Sequence, residues 1–481
     1  MTLVAGVDSS TQSCKVLVVD AESGRIVRQG IAAHPDGTEI DPRHWFTALN
    51  RAVAAAGGLS DVAALSVGGQ QHGMVCLDAA GEVIRPALLW NDTRSAQAAA
   101  DLVVELGGGD VAAGAKAWAD ATGSVPVASY TITKLRWLVD HEPDNAARIA
   151  AICLPHDWLT WRLGGAASLD TLVTDRSDAS GTGYFDSVSN AYRRDLLALA
   201  LRRDAVDDIV LPRVLGPHDV AGHGDGELLP RAAVLGPGCG DNAGAALGLG
   251  LSPGQTSVSL GTSGVVAAVS DTPTADASGL VSGFADATGR WLPLACTLNG
   301  SRVLDATARF LGVDHDEFAL LALAGEPGAG GLTLVPWFEG ERTPNLPTAT
   351  ASVHGITLSN LTRENYARAA VEGLICLMAG GVDAVRHLGV EIDGVKMIGG
   401  ASKSAAVQQL APALLGVPVE VPAPGEYVAM GAARQAAWVL TGDLPDWPVA
   451  SETTPAASGD GGAGVLERYE ELSDLVAEQY R

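Results

Sequence analysis

A chain of 481 residues is too long for one ordinary hydrophobic core and implies two large domains. Charged residues make up 18% and hydrophobic ones 47%, which excludes a disordered chain, and 58 glycines suit a globular α/β protein rich in tight turns. A formal net charge of −25 argues against a nucleic-acid grip and against an anionic membrane as partner, whereas a small anionic ligand stays compatible because backbone amides and a few cations bind it locally.

The first apolar run, Leu3 to Val7, stops at Asp8-Ser9-Ser10-Thr11, and a second, Val16 to Val19, follows; two strands around a small hydroxyl-rich turn make a hairpin. Helices are predicted at Trp45–Ala56 and Arg193–Arg202, with strands at Ala63–Val67 and Ala150–Leu154 between them. The hairpin pattern then returns: Ser257–Leu260 leads into Gly261-Thr262-Ser263-Gly264, and Val265–Val269 leads out. Repetition half a chain apart indicates a duplicated domain, since solenoid periods are about 20–50 residues. A long helix over Arg363–Leu388 and a strand at Val395–Ile398 follow, then a glycine turn opening another helix. Alternating strands and helices indicate helix-covered parallel or mixed sheets. The expected division is 1–245, 246–440 and a tail of 441–481, in which Ser451–Gly464 reads as a surface loop before a final helix. The six cysteines contain no CxxC pair and read as buried thiols of a reducing compartment. With no stretch of about 20 apolar residues and no basic–apolar leader, a soluble cytoplasmic protein is expected.

Five sets of residues carry the chemistry. Turns of small hydroxylated residues and glycine present backbone N–H groups to an anion, although each alone also reads as an ordinary surface hairpin. Behind the first, Lys15 supplies a cation and Asp8 a carboxylate of the kind Mg2+ prefers. Gly399-Gly400-Ala401-Ser402-Lys403-Ser404 follows a strand and is a candidate nucleotide contact. Asp241, in Gly238-Cys239-Gly240-Asp241-Asn242, suits a base that accepts a hydroxyl proton during phosphoryl transfer; it also reads as a cap of the Ala-rich helix after it. Gln71 and His72, just past a predicted strand, suit sugar hydroxyls, and Trp90-Asn91-Asp92 forms another polar cluster whose ring reads equally well as core.

Taken together these motifs resemble the FGGY family of carbohydrate kinases over about residues 3–440. Gly6-Val7-Asp8 with Thr11, Gln12, Ser13 and Lys15 resembles the first phosphate motif, Gly261-Thr262-Ser263-Gly264 the second, and Gly399-Gly400-Ala401 the adenosine motif. Lys134–Leu138 and Ala351–Glu372 resemble the two family signatures, and Thr174–Ala179 with Gly340–Pro344 is most similar to members that phosphorylate D-xylulose. The resemblance implies a duplicated, actin-like (ribonuclease H-like) α/β ATPase fold of two domains with a cleft between them. It implies ATP and Mg2+ as nucleotide and metal, with D-xylulose as acceptor or, alternatively, ribulose, gluconate or glycerol; a non-catalytic actin-fold protein is the remaining reading. Asp241 would be the base and Asp8 would lie at the metal. Thr11, Gln12, Ser13, Lys15, Gly261, Thr262, Gly399, Gly400 and Ala401 would contact the nucleotide. Gln71, His72, Trp90, Asp92, Asp241 and Asn242 would contact the sugar. Family members are often dimers, so a homodimer is the assembly suggested. Gln71 stands where many xylulose-phosphorylating relatives have Met, and Lys15 where some have Arg, which keeps the charge without the fork.

Overall fold

The apolar run at the N-terminus forms β1 (Leu3–Ser9), buried along its whole length, as a strand covered on both faces must be. It pairs antiparallel with β2 (Ser13–Asp20), which pairs antiparallel with β3 (Ile26–Ala33). Helix α1 (Pro42–Ala55) follows, started by an Asp41 side chain that accepts the Arg43 N–H and by proline at its first position. Strand β4 (Val62–Gly69) then runs parallel to β1 on its other side. Period 2 divides the buried residues of β1: Leu3, Ala5 and Val7 join Trp45 and Leu49 of α1 in one core, while Val4 lies in a second core on the opposite face. Helices α2 (Thr131–His141) and α3 (Pro155–Leu163), strand β5 (Val173–Asp175) and the one-turn helix α4 (Arg176–Ala179) follow. Strands β6 (Val234–Leu235) and β7 (Cys239–Gly240) both extend β4 in parallel, and α5 (Asp241–Gly248) leaves the end of β7.

The same plan is repeated. Strand β8 (Gly254–Leu260) pairs antiparallel with β9 (Gly264–Ala268), which pairs antiparallel with β10 (Trp291–Thr297). Helices α6 (Arg302–Leu311), α7 (His315–Ala324) and the 25-residue α8 (Arg363–His387) precede β11 (Ile392–Ile398), which runs parallel to β8 as β4 does to β1. After helix α9 (Ala405–Leu415), strand β12 (Val419–Pro422) extends β11 in parallel. Even burial repeats: Thr11–Val19 and Gly261–Val269 share the same succession of half-buried, exposed and buried positions.

The computed structural model describes residues 1–455 and 462–480, which divide into two compact units. Unit 1 comprises Met1–Gly250, Asp271–Leu292 and Gly425–Pro448; unit 2 comprises Leu251–Ser270, Pro293–Pro424 and the described residues after Pro448. Helix α10 (Tyr427–Thr441) thus returns to unit 1, where Ala429 and Ala433 meet Val4 in the second core. It lies against α5 backbone to backbone, since a Cβ at Gly431 would come within 1.9 Å of Gly244 O. The expected loop over 451–464 is replaced at its start by β13 (Ser451–Thr454), which pairs antiparallel with β12; its two threonines suit a strand. Residues 456–461 of that stretch lie outside the described residues, and α11 (Ala463–Ala477) follows them. All six cysteines are free, and among the described residues no helix is long and apolar enough to cross a membrane.

Candidate functional site

In unit 1 three parallel strands end side by side. Asp8 of β1 is in register with Gly68 of β4, and Gly68 is in register with Cys239 of β7. At those ends the chain supplies Asp8 of β1 itself, then Gln71 and His72 beyond β4, then Asp241 and Asn242 beyond β7. The carboxyl ends of parallel strands are where open α/β sheets hold ligands. Gly240, not Asp241, caps α5; Asp241 is its first helical residue, with Oδ1 accepting N–H bonds from the Asn242 backbone at 2.8 Å and its side-chain amide at 3.0 Å. The capping reading of Asp241 therefore fails.

Burial, and after it the negative charge of Asp8, pushes the Asp241 carboxyl up to about 7. Burial likewise raises Asp8 to about 6, against the pull of Lys15, whose Nζ lies 3.5 Å away. Asp8 Oδ1 is buried and has no hydrogen-bond partner among the described residues. Lys15 is held more closely by Glu426, 2.6 Å from its Nζ, at the start of α10. Glu426 was not foreseen, and with 411 residues separating the pair no local pattern could have shown it.

Gln71 spends its amide within the protein: Nε2 donates to Ser177 O at 3.1 Å, and Oε1 accepts from Asn242 Nδ2 at 3.5 Å. His72 adopts φ +70°, rare for a residue with a Cβ, and its Nδ1 lies 2.6 Å from Gly181 O, which places the proton on Nδ1. Its ring packs against Tyr130 and Phe284, with centroids at 4.8 and 5.7 Å. Trp90 is not core: it is 41% exposed, and its Nε1 donates to Thr11 Oγ1 at 2.8 Å, tying the two loops together. Asp92 has both oxygens occupied, Oδ2 by Thr38 Oγ1 at 2.8 Å and Oδ1 by Arg94 at 2.8 Å; these bonds outweigh burial and hold its carboxyl below the usual range. Gln12 is exposed at the tip of the hairpin turn, and Ser13 opens β2.

In unit 2 the second hairpin turn exposes Thr262, with Gly261 half-buried beside it. Ser301 N–H donates to Gly261 O at 2.7 Å, which fixes the turn against the start of α6. Gly399 has φ +93° and crosses Leu260 so closely that a Cβ would approach to 2.5 Å, so only glycine fits. The helix expected directly after this turn begins later, at Ala405; a single 3-10 turn, Ala401–Lys403, intervenes, with Ser402 Oγ donating to Gly399 O at 2.8 Å. Gly400 faces open space, and it and Ala401 line a cavity of about 580 Å³. Its other walls include Ser301, Leu304, Phe318 and Leu323 of the α6–α7 region, which ordinary amphipathic patterns did not distinguish from core.

Comparison with known proteins matches this arrangement along both halves. Residues 3–247 match the N-terminal domain, and residues 256–440 the C-terminal domain, of the FGGY family of carbohydrate kinases. A protein named xylulose kinase from Streptomyces coelicolor is 48% identical over 450 residues, covering 92% of this chain and 89% of its own. One of the same name from Streptomyces rubiginosus is 46% identical over 489 residues, 99% of this chain and 95% of its own. The crystal structure of xylulose kinase from Bifidobacterium adolescentis superimposes with a TM-score of 0.92 at 53% identity, covering 98% of this chain and 99% of that one. The repeated sheet plan is accordingly the actin-like ATPase fold of these kinases. The chain belongs to the FGGY family of carbohydrate kinases, enzymes that phosphorylate sugars with ATP.

Proposed function

We propose that this enzyme transfers the γ-phosphoryl group of ATP to D-xylulose, giving D-xylulose 5-phosphate and ADP. The observation that carries the chemistry is Asp241, placed at the strand ends with its carboxyl raised to about 7, where a base both accepts a proton readily and is ionised at neutral pH. The substrate is supported by the names of the relatives that cover nearly the whole chain.

Asp241 takes the proton of the sugar's terminal hydroxyl as its oxygen attacks the γ-phosphorus and the bond to the β-phosphate oxygen breaks. Asn242, bonded to the Asp241 carboxylate, and Gln71, bonded to Asn242, fix the direction of that carboxylate. His72, aimed by the Gly181 carbonyl, and the exposed ring of Trp90 contact the sugar. Asp92, with both oxygens committed, holds the Trp90 loop in place. On the nucleotide side, Thr11, Gln12, Ser13 and Lys15 are the candidate phosphate contacts within unit 1, and within unit 2 Gly261 and Thr262 form the second turn of that type. Gly399, Gly400 and Ala401 border the base, for which the cavity beside them has room. A buried carboxylate oxygen without a hydrogen bond, as in Asp8, fits a hydrated Mg2+. Mg2+ held there supplies positive charge to the transferred phosphoryl group.

Incubation with ATP, Mg2+ and D-xylulose, followed by phosphorus NMR, tests the reading. A phosphate ester on the 5-carbon is expected; ADP and inorganic phosphate without any sugar ester would defeat it.

A further inference from the structure

Behind Gln71, His72 and Asp241 lies a charged cluster that phosphoryl transfer does not use. His156 and Asp157 stand in the first turn of α3, and Asp175 and Asp178 sit at either side of Ser177 in the α4 turn. His156 and Asp178 are 0% exposed, Asp157 1% and Asp175 3%. His156 Nε2 lies 3.2 Å from Asp178 Oδ2, 3.3 Å from Asp157 Oδ1 and 3.4 Å from Asp175 Oδ1. Among the described residues no Lys or Arg pairs with these three carboxylates. Carboxylates so close together in a dry interior stay ionised only with a positive charge among them.

The surroundings are shaped for the imidazole. A Cβ at Gly69 would come within 3.0 Å of the His156 Cβ, and one at Gly238 within 2.5 Å of its Nδ1. Burial alone would strip the ring of its proton, but Asp157, Asp178 and Asp175 reverse that and hold it at about 10. Asp157 Oδ2 accepts the Leu154 N–H at 2.7 Å, and Asp175 accepts the Ser177 and Asp178 N–H groups at 2.8 and 3.0 Å. Neither oxygen of Asp178 accepts a hydrogen bond, and burial pushes its carboxyl well above the usual range, with Asp241 adding to the push. The Cys153 and Cys239 thiols nearby are driven up by burial and add no charge.

The 175–181 turn anchors three parts of the site at once. Gln71 Nε2 donates to Ser177 O at 3.1 Å, and His72 Nδ1 meets Gly181 O at 2.6 Å. The Gly240 N–H, one residue before Asp241, donates to Ser177 Oγ at 3.0 Å. We propose that His156, as a buried imidazolium, is a positioning residue: it pins Asp157, Asp175 and Asp178 and so fixes the turn that aims Gln71, His72 and Asp241 at the sugar. The inference rests on the kinase reading above and assigns to it a residue outside the substrate contacts. Nitrogen–oxygen distances near 3.3 Å also match neighbouring ligands of a tetrahedral metal that His156, Asp157 and Asp178 could share, so the test includes a bound metal ion among its outcomes.

The test compares wild type with His156→Gln and His156→Lys. The neutral glutamine should lower kcat/KM for D-xylulose about 10–100-fold through misaimed sugar and base, while the KM for ATP stays within about twofold. Lysine, which restores the charge, should recover most of the loss. Independently of how the glutamine variant folds, 15N-histidine NMR of the wild type should show one imidazole protonated on both nitrogens above pH 8, its signal missing from His156→Lys. Wild-type kinetics in His156→Gln, a lysine variant no better than the glutamine one, or no such imidazole would each overturn the proposal. So would one tightly bound metal ion per chain that disappears in His156→Lys. A wild type that shows the protonated ring but ignores D-xylulose would count against the substrate reading and leave the buried cation standing.

Discussion

Asp241 concentrates the opposing demands on the site in one carboxyl. Replacement by Asn should lower kcat by about 10²–10⁴-fold, the usual worth of a positioned base, with the KM for ATP little changed; steady-state ADP release with and without D-xylulose checks it. Because the base must be ionised, kcat/KM for the sugar should rise with pH through a value at or below about 7, since a cation at Asp8 would remove part of the push on Asp241. A pH profile that is flat from 5.5 to 8 would contradict this. Stability should run the other way. A carboxyl whose folded pKa is raised from 3.8 to about 7 binds more protons folded than unfolded, so it costs stability progressively as pH rises across that window and the full amount above it. Asp241→Asn should therefore be more stable than wild type at pH 8, by roughly 1 kcal/mol after allowance for solvent screening of a side chain that is not fully buried, and this gain should vanish near pH 4; melting curves at the two pH values measure it. Both candidate acids were legible in the sequence at strand ends, Asp8 before a hydroxyl-rich turn and Asp241 after Gly240. Their mutual influence was not, because it depends on the register of three strands.

Helix α5 aims Asp241, and its own position depends on α10. The two helices touch through glycines: a Cβ at Gly248 would lie 2.0 Å from Tyr427 O, and one at Gly431 1.9 Å from Gly244 O. Gly431→Ala must therefore push α5 away, at a cost of about 1–3 kcal/mol. A fall in kcat for the sugar should accompany the lower melting temperature; unchanged kinetics and melting would show that α5 does not rely on this contact. In unit 2, Gly399→Ala combines a backbone with φ +93° and a clash with Leu260, strain of about 1–3 kcal/mol that should raise the KM for ATP about 10-fold. The elements themselves were largely legible: helices expected at Trp45–Ala56 and Arg363–Leu388 appear as Pro42–Ala55 and Arg363–His387. Two features were not. The 3-10 turn before Ala405 leaves no mark in apolar periodicity, and β13 is a short edge strand whose partner, not its composition, makes it a strand.

At the scale of the molecule, the duplication showed in the sequence because each strand–turn–strand unit is local. The strands on either side of β1 and β8 repeat the same directions, as the twin turns suggested. The return of α10 to unit 1, with Glu426 on Lys15 across 411 residues and glycines on α5, could not be read from any local pattern. Nor could the His156 cluster, whose four members come from two segments with no metal-like or triad-like spacing. On the proposed reading this site chooses the sugar, with Gln71 held by Ser177 and Asn242. The decisive measurement is kcat/KM from ADP release with ATP and Mg2+ across D-xylulose, D-ribulose, L-ribulose, D-fructose, gluconate and glycerol. D-xylulose should lead every other acceptor by about 10-fold or more; a higher value for any other sugar, or no stimulation by D-xylulose, would contradict the assignment.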